Sequence, residues 1–154
     1  MNASLLMKKV VLFLSLVVSS FLHAQQQDPV HWSARYVKTS ATEGEVIISA
    51  LIDKNWHTYS QKASADGPIP TSFTITPPKG VQLSGGVLES PPHEEFVPAF
   101  GAKISIFSDK AEFRQKLKTN GKSGQVLAIK VEYMTCNDNM CLPPKTAELS
   151  VKMQ

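Results

Sequence analysis

The sequence predicts an all-β protein, an immunoglobulin-like antiparallel β-sandwich, on three observations. Apolar residues recur at period two rather than 3.6, turn-forming pairs interrupt the chain at short intervals, and the length beyond an N-terminal leader suits a single domain. With 42% hydrophobic residues in 154, the chain can bury a core without covalent staples, so two cysteines are not needed to make it fold.

The leader comes first in the chain. Lys8 and Lys9 precede an apolar run from Val10 to Leu22, and Leu22-His23-Ala24 offers a cleavage site, so residues 1–24 are expected to be a secretory signal peptide. A thirteen-residue run rises only about 20 Å as a helix, short of a ~30 Å hydrocarbon core, which argues against a retained anchor. The domain is expected to span residues 25–154, in the periplasm and without membrane insertion after cleavage. Removing the leader leaves 14 basic against 13 acidic residues, so the basicity belongs to the targeting signal. No Lys/Arg cluster with interleaved aromatics exists, which excludes nucleic acid as the expected partner.

The strands follow in order. Val30, Trp32, Ala34 and Tyr36 alternate with His31, Ser33 and Arg35, the pattern of a half-buried strand. Glu45 to Ile52 is apolar at nearly every position and reads as a central strand covered on both faces. Trp56 to Ser60, Thr71 to Thr76 and Gln125 to Tyr133 are further candidates, and Ile104 and Ile106 alternate with Lys103 and Ser105. In Lys110 to Lys118, Glu112, Arg114, Lys116 and Lys118 share one face at period two, although Phe113 and Leu117 also fit a helical turn; strand is the preferred reading. Ala147, Leu149 and Val151 form the last strand. Gly67-Pro68, Pro77-Pro78, Gly85-Gly86, Pro91-Pro92, Asn120-Gly121 and Pro143-Pro144 punctuate these runs and give eight or so strands. Gly86 to Gly101 lacks periodicity and is expected to be a functional loop.

The chemistry-bearing segment runs from Tyr133-Met134-Thr135-Cys136 to Cys141-Leu142-Pro143-Pro144. Leu127, Ile129, Val131 and Tyr133 lie on the core face of the preceding strand, so continued alternation places Cys136 with Lys130 and Glu132, on the solvent side. An extended five-residue span covers about 17 Å, whereas a disulfide needs Cα atoms within ~7 Å; a Cys136–Cys141 bridge therefore requires Asn137-Asp138-Asn139 to turn sharply. A six-residue ring stabilises by only about 2 kcal/mol, which makes a poor staple and a bridge that opens without unfolding the domain. From spacing alone a local structural clip and a redox-active pair both stand. No helix start and no neighbouring His or Arg is visible to lower a thiol pKa. Copper held by Met134, Cys136, Met140 and Cys141 is disfavoured, because His31, His57 and His93 lie at no ligand-like spacing; no metal or other cofactor is expected.

Trp56-His57-Thr58-Tyr59-Ser60, Gly67-Pro68-Ile69-Pro70-Thr71, Phe100-Gly101 and the Cys136-to-diproline block together resemble the N-terminal periplasmic domain of the DsbD thiol:disulfide interchange proteins, over about Val30 to Val151. The resemblance implies an immunoglobulin-like sandwich whose cysteine pair carries two electrons. It implies a thioredoxin-like reductant, and as acceptors a periplasmic disulfide isomerase or a cytochrome c maturation thioredoxin. Carried over, Cys141 forms the mixed disulfide and Cys136 resolves it. The family's shielding aromatic is assigned to Phe96 in Glu94-Glu95-Phe96, with Phe100 as the alternative, and Glu94 and Glu95 as carboxylates that tune thiol protonation. Two departures stand out: four residues rather than five separate the cysteines, and the family's membrane and terminal thioredoxin domains are not in this sequence, so the reductant is expected to be a separate protein.

Overall fold

A computed structural model describes residues 28–63 and 67–154. The expected signal peptide, residues 1–24, lies outside the described residues. The strands are β1 (Val30–Lys38), β2 (Glu43–Ile52), β3 (His57–Tyr59), β4 (Ser72–Thr76), β5 (Gln82–Glu89), β6 (His93–Val97), β7 (Ala102–Ser108), β8 (Lys110–Lys118), β9 (Val126–Tyr133), β10 (Thr135–Cys136) and β11 (Lys145–Lys152). All strand pairs are antiparallel, and there is no helix among the described residues. The fold is the all-β, immunoglobulin-like sandwich expected from the alternation.

One layer is the sheet β1-β2-β8-β5. The facing layer is split into two sheets, β11-β9-β4 and β10-β3-β7-β6. Aromatic side chains join the layers: Trp32 of β1 meets Tyr133 of β9 (5.3 Å between ring centres) and Phe73 of β4 (6.3 Å). Phe113 of β8 packs on Phe73 (4.7 Å) and on Phe107 of β7 (5.5 Å), so a single ring touches both halves of the split layer.

β8 settles the one ambiguous segment. Ala111, Phe113, Gln115 and Leu117 are buried while Arg114, Lys116 and Lys118 are exposed, a strand over Lys110–Lys118. Arg114 reaches Glu45 across the sheet at 2.9 Å and also pairs with Glu112. β2 is central between β1 and β8, with Val46, Ile47, Ile48, Ala50 and Ile52 buried. It is not covered on both faces throughout, because Leu51 near its end is exposed.

Two sequence expectations are corrected. Gly85-Gly86 is not a turn but a bulge inside β5, where the register on β8 shifts between Ser84 and Leu88 and Gly85 takes φ +72°. Buried Gln115 donates to Ser84 O and Gly85 O, both at 3.2 Å, and so satisfies carbonyls the bulge takes out of the ladder. The segment Gly86 to Gly101 is not a loop: it holds the end of β5 and the whole of β6, joined by short links. β6 escapes the periodicity test because it is a five-residue edge strand, exposed from His93 to Phe96 and held by backbone pairing to β7.

Candidate functional site

The chain changes sheets at Met134. β9 ends at Tyr133 in the sheet with β11 and β4, and two residues later Thr135 and Cys136 pair with Thr58 and His57 of β3. The step is held by the Thr58 hydroxyl, which donates to Met134 O at 2.9 Å. Asn137 then organises the turn: its Oδ1 accepts from the amides of Asn139 and Met140, both at 2.9 Å, and its own N–H donates to Met140 O at 2.9 Å. Leu142 N–H donates back to Thr135 O at 2.8 Å. The result is a tight ring in which Cys136 and Cys141 are disulfide-bonded with Cα atoms 4.0 Å apart, the sharp turn that the Asn-Asp-Asn run predicts.

Cys136 is not on the solvent side. It is fully buried, 0% exposed, whereas Cys141 is half-buried. Alternation gave the correct face but not its surroundings. On β7, Phe107 turns to the main core, while Ile104 and Ile106 turn to the opposite face and build a second apolar cluster with Tyr59, Val97 and Cys136. Phe100, Met134, Ala63 and Cys141 pack against that cluster. The face that would be solvent on β9 is therefore covered once the chain reaches β10.

The register of this sheet brings together residues distant in sequence. His57 lies directly opposite Cys136, Tyr59 opposite Ile106, Ile106 opposite His93 and Ile104 opposite Glu95, so all share one face. His57 Nε2 sits 3.2 Å from the Tyr59 hydroxyl, and both residues are buried. Burial pushes the Tyr59 phenol well above its ordinary range, so it keeps its proton. His57 was missed as a neighbour of the pair because the sequence pairs it with nothing; its strand register is the only signal, and that is a tertiary property. His93 Nε2 stands 3.5 Å from Glu95 on the exposed edge. His31 is elsewhere, 3.1 Å from Asp53, and among the described residues no group of three His, Cys, Asp or Glu side chains is placed to hold a metal ion.

A recess of about 310 Å³ lies beside the ring, lined by His57, Glu95, Phe96, the turn from Val97 to Ala99, and Asn137 to Met140. Phe96 and Met140 are 57% and 52% exposed at its edges. Glu94 alternates to the other face of β6 and does not line it. Phe100 packs edge-on to Tyr59, 6.2 Å between centres, over the cluster that contains Cys136. Phe96 thus stands at the lip of the recess and Phe100 over the buried side.

Burial holds the His57 imidazole below its ordinary value of 6.5; Glu95 and Asp138 oppose the shift and His93 adds to it. Below 6.5 the unfolded chain binds a proton that the folded chain refuses until its lower pKa is reached, so stability falls as pH drops through that window and is regained above it. The urea midpoint of the wild type is expected to drop more between pH 7.5 and 5.5 than that of His57→Gln. Equal drops refute this assignment.

A profile of the family described as "Thiol:disulfide interchange protein DsbD, N-terminal" matches residues 25–152. The chain belongs to the DsbD N-terminal family. Solved structures of similar fold include the Neisseria meningitidis DsbD N-terminal domain in the reduced form, at 15% identity and TM-score 0.52, covering 77% of this chain and 83% of that one. The N-terminal periplasmic domain of ScsB from Proteus mirabilis aligns at 18% identity and TM-score 0.59, over 86% of this chain and 50% of the other, so this chain spans half of that structure. A complex between the DsbD N-terminal and PilB N-terminal domains of Neisseria meningitidis aligns at 14% identity and TM-score 0.50, over 77% of this chain and 80% of that one. A search of curated proteins returned no match. As a member of the DsbD N-terminal family, the chain carries its disulfide as the Cys136–Cys141 ring.

Proposed function

We propose that this chain is an exported thiol:disulfide exchange module, working in the periplasm after loss of residues 1–24. Cys136 and Cys141 take two electrons from a thioredoxin-like reductant and pass them to an oxidised periplasmic protein, a disulfide isomerase or a cytochrome c maturation thioredoxin. The observation that carries this reading is the asymmetry of the ring: Cys141 is half-buried and Cys136 fully buried, with the turn between them, Asn137 to Met140, lining a recess. Exchange is governed by which sulfur can be reached, so Cys141 is the sulfur that meets the partner and Cys136 the one that resolves it. Family membership supports the chemistry. The Neisseria complex of a DsbD N-terminal domain with the PilB N-terminal domain supports a protein partner for this domain type. The export route rests on the Lys8-Lys9, apolar run and Ala24 pattern, and the ScsB domain, which is described as periplasmic, agrees with it.

In the reducing direction a partner thiolate attacks Cys141 Sγ, the Cys136–Cys141 bond breaks, and Cys136 leaves with the electron pair. Cys136 then takes up a proton, and the partner's second thiolate attacks the partner sulfur of the mixed disulfide; Cys141 leaves with the electron pair and is protonated, so the pair becomes a dithiol and the partner a disulfide. Electron delivery runs these steps backwards, with no cofactor. Phe96 and Phe100 shield the pair from other thiols, Phe96 by moving off the lip when a cognate partner docks. Glu95, which faces the recess, is the better placed of the two carboxylates to influence thiol protonation; Glu94 lies on the other face of β6. A redox titration of the pair is expected to give a potential between about −180 and −270 mV, the range of thioredoxin-like exchange proteins. A value below about −300 mV identifies a structural clip instead and overturns the proposal.

A further inference from the structure

The exchange scheme leaves a proton unaccounted for. When Cys136 resolves a mixed disulfide it must attack as a thiolate, yet burial alone raises a thiol pKa and leaves less of the reactive form. Cys136 is fully buried in a cluster with Tyr59, Val97, Ile104 and Ile106, none of which is a base at neutral pH. The one residue opposite it in the sheet register that can take a proton is His57, and opposed residues on one face bring their Cβ atoms to within about 5 Å.

We propose that His57 is the proton acceptor for Cys136 during ring closure and the proton donor to it during ring opening. This rests on the exchange reading above and goes beyond it, since neither the cysteine spacing nor the acidic pair of β6 identifies the group that handles the proton. Three features of the site fit the role. Tyr59 lies 3.2 Å from one ring nitrogen, Nε2; in the tautomer whose Nε2–H donates to the phenol oxygen, Nδ1 is the free acceptor. His57 also lines the recess beside the ring, which gives its proton a route to solvent. Finally, burial keeps the imidazole neutral at pH 7, so it arrives able to accept.

The charged and titratable groups that face His57 come from three elements. Tyr59, on β3 itself, stays protonated. β6 contributes Glu95, which favours the imidazolium, and His93, which disfavours it, and the ring turn contributes Asp138, which favours it. β7 places the neutral Ser108 opposite His57. Two carboxylates against one histidine mean that the imidazolium, once formed, is supported while the proton is in transit.

The step balances as follows. The Cys136 thiol gives its proton to His57 as its sulfur attacks Cys141 Sγ in the mixed disulfide. The Cys136–Cys141 bond forms, and the bond from Cys141 to the partner sulfur breaks with its electron pair on the partner. The protein pair is oxidised by two electrons and the partner sulfur leaves reduced, as a thiolate that collects a proton from water. In the opposite direction His57 takes a proton from solvent through the recess and passes it to Cys136 as that sulfur leaves.

The test uses a small probe in place of a protein partner. Reduced protein is mixed with one equivalent of 5,5′-dithiobis(2-nitrobenzoate), and thionitrobenzoate release is followed in two phases; the second is the attack of Cys136 on the Cys141 adduct and is absent in Cys136→Ser. If His57 lowers the Cys136 pKa by about one unit, the gain in thiolate at pH 7 is partly offset by weaker nucleophilicity, so His57→Gln should slow the second phase about threefold at pH 7. Above about pH 9.5, where both thiols are ionised, the order should reverse, the variant closing about threefold faster, with the midpoint of the profile about one unit higher in the variant. An unchanged profile overturns the proposal.

A second measurement avoids any substitution at position 57. In reduced Cys141→Ser, the thiolate absorbance of Cys136 and the ring resonances of His57 should titrate together. A Cys136 thiol titrating at or above about 8.5 with no matching step at His57 overturns the proposal equally. A His57-dependent ring closure in a protein that never exchanges with protein thiols keeps this inference and removes the exchange reading. Normal exchange with a His57-independent profile does the reverse.

Discussion

Cys136→Ser is expected to accumulate mixed disulfides with thioredoxin-like proteins, whereas Cys141→Ser forms none. The direction follows from exposure: Cys141 is half-buried, and Cys136 has no accessible surface. An incoming thiolate or disulfide therefore meets Cys141 first. Once the covalent complex exists, wild-type Cys136 sits five residues away with its Cα 4.0 Å off and resolves it intramolecularly. Serine cannot, and release then awaits a second external thiol, slower by on the order of a hundredfold or more because the proximity advantage is gone. Non-reducing gel electrophoresis after mixing with an oxidised thioredoxin-fold acceptor reads the result. Comparable trapping by both variants would remove the assigned roles, and trapping by neither would remove the exchange function with them.

The second large effect separates the ring from the fold. Phe113→Ala is expected to cost about 3–5 kcal/mol, because Phe113 is fully buried and touches Trp32, Phe73 and Phe107, so both halves of the facing layer lose the same contact. That corresponds to a fall in melting temperature on the order of 10–20 °C. Reducing the disulfide should cost only about 2 kcal/mol by the chain-entropy estimate, with the β-sheet circular dichroism retained at 25 °C. Thermal melts of the oxidised, reduced and Phe113→Ala proteins check both figures. A reduced protein that unfolds before Phe113→Ala does would make the ring a structural staple after all.

Most of the sandwich was legible because its signal is local. In β8 the charges Arg114, Lys116 and Lys118 fall on one face and Ala111, Phe113 and Leu117 on the other, an alternation that favours strand although Phe113 and Leu117 also fit a helical turn, and the structure is a strand. The cysteine ring was legible too, since Asn137 to Asn139 carries the turn chemistry that a five-residue separation demands. What escaped was set by tertiary pairing. β6 has no alternation to read, because an edge strand held by backbone hydrogen bonds can be exposed on both faces. The depth of Cys136 depends on a second cluster built from β3, β6 and β7, which a reading of β9 alone cannot contain. His57 became visible beside Cys136 only once β10 was seen to pair with β3.

The step between sheets at Met134 also frees the ring from the arithmetic of the fold. β9 and β11 pair without interruption from Val126 opposite Lys152 up to Tyr133 opposite Lys145, and everything from Met134 to Pro144 is an excursion beyond the last rung of that ladder. A residue added or removed inside the excursion shifts no side chain from core to solvent in either strand, because the rungs below are numbered from the strands and not from the loop. The distance between the cysteines can therefore change without the sandwich registering it. Changes between Asn137 and Met140 alter the ring while the β9–β11 rungs and the pairing of Thr135 and Cys136 to β3 stay where they are.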